Sequence, residues 1–163
     1  MSGSRNAIAY LETYGGPPLR IMEVCGTHTH EIFRLGIRKL LPKNTELISG
    51  PGCPVCVTPV GYIDEAVWLA ERGVTVTTFG DLVRVPGTEK NLADVRASGG
   101  KVQVVYSPLD AVNYAAEHPG EQVVFLSVGF ETTVPASCLA VKNARQSGLD
   151  NFALLTANKT MPN

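Results

Sequence analysis

Short apolar runs rich in β-branched residues recur along this chain of 163 residues with helical patterns between them, and that alternation leaves few folds open. Residues 20–24, 46–48, 74–79, 102–106, 123–127 and 152–156 read as strands. Residues 31–40, 62–72, 91–97, 109–117 and 132–146 read as helices. In the segment 62–72, Ile63, Ala66, Val67, Leu69 and Ala70 share the side expected to be buried, and Gly73 is a natural C-terminal stop. The segment 31–40 carries Ile32, Phe33, Leu35, Ile37 and Leu40 and is closed by Pro42. The strands are mostly apolar rather than alternating, as happens when helices cover both faces of a sheet. Right-handed strand–helix–strand units then give the expected fold, which is α/β: a wound, mostly parallel, Rossmann-like sheet with helices on both faces.

Composition marks no linker. The expected division is a first α/β domain over residues 1–118 and the start of a second over 119–163, with Ser98-Gly99-Gly100 the other place for a boundary. The last residues, Met161-Pro162-Asn163, follow a strand with no helix to cover it, so truncation at the C-terminus is expected.

Charge narrows the function classes. Lys and Arg number 14 against 15 Asp and Glu, a net charge of −1, so there is no basic field for a nucleic-acid backbone. No apolar run approaches the ~20 residues of a membrane span, and no signal-peptide pattern opens the chain. The expectation is a soluble, cytoplasmic protein that binds neither nucleic acid nor membrane. In that compartment a close cysteine pair points to metal binding or redox chemistry rather than a structural disulfide.

The chemistry-bearing residues gather where strands end, the usual ligand edge of α/β sheets. Cys25-Gly26-Thr27-His28-Thr29-His30 follows the first strand and Gly50-Pro51-Gly52-Cys53-Pro54-Val55-Cys56 the second. Phe79-Gly80-Asp81 follows the third, and Gly129-Phe130-Glu131-Thr132-Thr133 the fifth. Four loops are thus expected on one rim. The C-x-x-C spacing of Cys53 and Cys56 lets two sulfurs share one ion or close a disulfide, and a nearby helix N-terminus would lower a thiol pKa. Gly52 and its neighbours imply a close backbone approach to a bound group.

Cys25 with His28 and His30 offers thiolate and imidazole, the usual ligands of zinc, copper and iron. Equally, a histidine there can act as base to the cysteine, and Thr27 or Thr29 can cap a helix starting near Glu31. Asp81 with Arg84 reads either as site residues or as an ordinary ion pair. Glu131 is a candidate for proton transfer or a first-turn acid, with Thr132 or Thr133 as cap. Cys138, inside a helix, is expected in the core.

Taken together with Arg84-Val85-Pro86-Gly87 and Tyr106-Ser107-Pro108, these blocks resemble the HypD hydrogenase-maturation family along the whole chain. The resemblance implies a scaffold for the Fe(CN)2CO moiety of [NiFe]-hydrogenase, working with a HypC-type chaperone and receiving cyanide from a HypE-type donor. It implies Cys25 as the iron ligand shared with the chaperone, His28 as a further ligand or neighbour, and Cys53 and Cys56 as redox thiols. It implies an assembly factor with thiol–disulfide activity rather than a stand-alone enzyme. Family members also carry later cysteines for a [4Fe-4S] cluster, absent from this chain, and a histidine where this chain has Ala157-Asn158-Lys159. On ligand chemistry alone the rival is a structural zinc site of Cys25, Cys53, Cys56 and His28. A thioredoxin-like oxidoreductase is the third reading, although such an enzyme needs neither Cys25 nor the histidines.

Overall fold

The computed structural model describes residues 7–11, 13–24, 26–50 and 52–160. The chain divides into two compact units, Met1–Cys56 and Val57–Asn163. Residues 98–100 and 118, where a boundary was expected, both lie inside the second unit, because the strands that follow them join the same sheet as β3 below.

In the first unit, β1 (Leu19–Glu23) and β2 (Thr45–Ser49) form a two-stranded parallel sheet, in register from Leu19 opposite Thr45 to Glu23 opposite Ser49. Between them run α1 (Gly26–Arg34) and a 3₁₀ turn, Ile37–Lys39. The helix expected over 31–40 therefore starts five residues earlier and ends sooner. Gly36 stops it by taking φ 63, a left-handed conformation that costs glycine little. His28 and His30 consequently lie within the helix rather than ahead of it, and Thr29 is not a cap.

In the second unit, α2 (Val60–Glu71) leads into β3 (Thr75–Thr78). Then follow α3 (Leu92–Ala97), β4 (Val102–Val104), α4 (Pro108–Glu117), β5 (Val123–Gly129), α5 (Val134–Gln146) and β6 (Phe152–Asn158). The four strands are parallel in the order β4-β3-β5-β6. Capping boxes at Asn91 and Ser107 fix the starts of α3 and α4, each satisfying two otherwise unpaired ends.

The core is built on the central strands. Val76, Phe125 and Leu126 are almost fully buried, with Ile63 of α2 and Leu92 of α3. Phe125 meets Phe79 edge-to-face at 5.5 Å. Burying each such side chain is worth about 1.5–3 kcal/mol. The Tyr62 hydroxyl donates to Leu155 O at 2.7 Å, tying α2 to the edge strand β6, and its burial pushes the phenol pKa up.

The α/β class and parallel pairing match the sequence expectation, while the single sheet does not. The strands sort into two sheets, so two candidate loops belong to each. Apolar periodicity marks a strand but not its neighbour. Pairing is settled by long-range packing, and β2 finds β1 alone. Within the larger sheet, β3 and β5 are neighbours whose crossovers run in opposite directions. That is the switch point at which α/β sheets open a crevice, and Asp81 and Glu131 belong to the two loops beside it. Among the described residues no helix is long and apolar enough to cross a membrane.

Candidate functional site

The first unit gathers its polar groups at the carboxyl ends of β1 and β2. Glu23, last residue of β1, is buried. The Thr29 hydroxyl of α1 donates to both carboxylate oxygens, at 3.0 and 2.8 Å. The Ser49 hydroxyl is hydrogen-bonded to the same carboxylate, and Arg38 Nη2 donates to Ser49 Oγ at 2.8 Å. Hydrogen bonds from Ser49 and Thr29, then the positive charge of Arg38, hold the Glu23 carboxyl below the usual range. Sequence reading passed over this residue: a glutamate at the end of an apolar strand looks like the strand's solvent edge, and only tertiary pairing shows it enclosed.

His28 and His30 sit exposed on α1, as does Gly26. Cys25 lies outside the described residues, as does Pro51. The loop after β2 begins at Gly50, whose amide donates to Glu23 O at 2.8 Å. A Cβ there would stand 2.6 Å from Met22 Cγ and 2.9 Å from Glu23 O, so this glycine is required by close approach.

Cys53 is half-buried, Cys56 is exposed, and both are free thiols. They are hydrogen-bonded to each other. That bond and the proximity of Cys53 push the Cys56 thiol pKa up, the reverse of the lowering expected from a helix N-terminus. Gly52 is half-buried on the same loop. Among the described residues, no group of three or more His, Cys, Asp or Glu is arranged to hold a metal ion. His28 is thus without such a cluster among those residues, and Cys25, common to the iron and zinc readings, is outside them.

In the second unit Asp81 and Arg84 are exposed, and among the described residues no ion pair joins them. Glu131 and Thr132 are exposed on the turn between β5 and α5. Glu131 precedes the helix rather than occupying its first turn. Thr133 takes the N-cap position without a side-chain cap bond, its hydroxyl donating to Phe130 O at 2.9 Å. A Cβ on Gly129 would fall on Thr133 Oγ1, so the turn is tight.

A polar network underlies this turn. Ser127 Oγ donates to Asn158 Oδ1 at 2.8 Å and lies 2.8 Å from Ser137 Oγ, with Asn158 Nδ2 reaching Thr133 Oγ1 at 3.5 Å. The Lys159 amide donates to Gly129 O at 2.9 Å. Asn158, in the segment Ala157-Asn158-Lys159 where the family resemblance implies a histidine, therefore supports the turn that carries Glu131. Cys138 is exposed, contrary to expectation: α5 turns Ser137, Ala140 and Ala144 inward, and a residue one position past Ser137 points outward.

The family model HypD, described as "Hydrogenase formation hypA family", matches residues 4–163. The chain is 48% identical over 146 residues to the hydrogenase maturation factor HypD of Rhodobacter capsulatus, covering 89% of this chain and 39% of that protein. It is 46% identical over 158 residues to the protein of that name from Escherichia coli, covering 96% of this chain and 42% of the relative. For the Azotobacter vinelandii factor the identity is 48% over 145 residues, with 88% and 38% covered. The chain thus spans about two fifths of the length of the curated relatives it matches.

Proposed function

Because the chain belongs to the HypD family, we propose that it serves [NiFe]-hydrogenase maturation, as part of a scaffold on which iron is held while Fe(CN)2CO is built. The iron is cargo, passed on rather than kept. Cys25 is its thiolate ligand, shared with a HypC-type chaperone, and His28 stands by as a second ligand or a base. Cyanide comes from a HypE-type donor. The site of action is the cytoplasm.

One observation supports this reading above the others: Cys53 and Cys56 are a hydrogen-bonded pair of free thiols on the loop after β2, the parallel neighbour of the strand that leads to Cys25. Cyanide and CO keep iron low-spin and ferrous, and a soft thiolate suits it. Oxidation of the pair to a disulfide releases two electrons and two protons, which a ligand-installing step can consume. Asp81, Glu131 and Thr132, on loops flanking the switch point of the larger sheet, are assigned to proton transfer and ligand orientation.

The test is anaerobic metal analysis of the chain co-purified with its chaperone. Iron that disappears in Cys25→Ala is expected. Stoichiometric zinc, retained only while Cys53 and Cys56 are both present, would replace the scaffold reading with the structural zinc site.

A further inference from the structure

Among the described residues of the unit Met1–Cys56, one is buried, and it carries a carboxylate: Glu23, 8% exposed. Enclosing a carboxylate is costly unless its oxygens are satisfied. Here they are, by donors from two separate segments. Thr29 donates from α1 and Ser49 from the end of β2, and Ser49 is itself oriented by Arg38. The backbone of the same residue holds the next step of the chain, since Glu23 O accepts from the Gly50 amide at 2.8 Å. One residue therefore fastens the helix that starts just after Cys25 and the first two residues of the segment ending in Cys53 and Cys56. An apolar side chain would fill this space without fixing direction. A carboxylate with two directional donors fixes the register of both segments.

We propose that Glu23 is a positioning residue for the thiols, a clamp between α1 and the end of β2 that sets the geometry in which Cys53 and Cys56 meet. This rests on the reading of those two cysteines as a working redox pair. Releasing the clamp frees the loop from Gly50 onward and lowers the effective concentration of one thiol at the other.

The experiment equilibrates the chain anaerobically in buffers of reduced and oxidised dithiothreitol, traps the thiols, and reads the fraction of Cys53–Cys56 disulfide. Melting is followed on the same samples. Glu23→Gln and Ser49→Ala are expected to lower the equilibrium constant for disulfide formation about five-fold, by loss of effective concentration. Ser49→Thr, which keeps the hydroxyl, restores the original value. A merely structural role would lower the melting temperature and leave that constant unchanged in the folded variants, which would overturn the clamp. Should Glu23→Gln fail to fold, the comparison of Ser49→Ala with Ser49→Thr decides, and equal constants for the two would refute it. Loss of iron binding by the unaltered chain, with the clamp effect intact, would instead count against the scaffold reading alone.

Discussion

The Cys56 thiol hydrogen-bonds to Cys53, three residues earlier on the same Gly- and Pro-rich loop, and this contact holds the Cys56 proton more tightly than an isolated thiol would. The sign of the consequence is direct. Alkylation of Cys56 proceeds through the thiolate, so at pH 8 it is slower than for an ordinary exposed cysteine. Cys53→Ala removes the main cause and moves the pKa down. The alkylation rate of Cys56 at pH 8 is then expected to rise several-fold, its pH profile shifting to lower pH. An unshifted profile in Cys53→Ala would show that the two thiols do not communicate.

Asn151 offers a sharp stability test. Its buried amide nitrogen donates to Ala115 O at 2.9 Å, His118 O at 3.1 Å and Glu121 O at 2.9 Å, pinning the end of α4 to the start of β5. Asn151→Ala leaves these carbonyls short of a donor and is expected to destabilise the chain by about 2 kcal/mol. Asn151→Asp turns a carboxylate toward the same carbonyls and should be worse. Urea titration measures both, and a change below about 0.5 kcal/mol in Asn151→Ala would be typical of an unconstrained surface site.

Two carboxylates in the second unit govern its response to acid. Glu121 accepts from Lys101 Nζ at 2.6 Å and Thr75 Oγ1 at 2.5 Å, and these bonds keep its pKa below the ordinary value. Asp64 is held low by the Thr88 hydroxyl and amide, each at 2.7 Å. A lowered folded pKa means stability that is complete above the unfolded value, near ~4, and lost as pH falls through the folded one. The melting temperature should therefore drop between about pH 5 and pH 3. In Glu121→Gln the drop is smaller, because the titrating group is gone. A variant curve parallel to the original would remove Glu121 from the account.

The turn carrying Glu131 depends on a glycine and on the hydroxyl network beneath it. Gly129→Ala forces a methyl group onto Thr133 Oγ1, at an expected cost of about 1–3 kcal/mol by overpacking. Ser127→Ala removes the donor to Asn158 and leaves Ser137 without its partner. Hydrogen exchange should show faster opening at residues 129–133 in both variants, with protection of β3 retained. Exchange that quickens uniformly across the sheet would mean that the network supports the fold as a whole.

Much of this architecture was legible in the sequence because periodicity is local. The segment 62–72 showed its inward side in its own residues: Ile63, Ala66, Val67 and Ala70 are buried there as expected, whereas Leu69 is half-buried and Tyr62 takes a buried place instead. The helices expected over 91–97 and 109–117 likewise lie within a residue of their places, at Leu92–Ala97 and Pro108–Glu117. What periodicity does not carry is pairing. The β1–β2 pair reads like the other strands yet forms a sheet of its own. The site shows the same divide. Cys53 and Cys56 announce themselves by spacing, whereas Glu23 and Asn158 become informative only once Thr29, Ser49 and Ser127 are brought to them by the fold. Helix starts are a further case. The left-handed Gly36 ends α1 early, and its start at Gly26 places His28 and His30 within it.

The central claim is that Cys25 holds iron while cyanide and CO are brought to it. Infrared spectroscopy on the chain isolated anaerobically with a HypC-type chaperone tests this most directly. The account predicts bands in the cyanide and CO stretching region that vanish in Cys25→Ala and persist, at lower yield, in Cys53→Ala. Bands of undiminished intensity in Cys25→Ala, or an iron-loaded complex with no such bands, would contradict it.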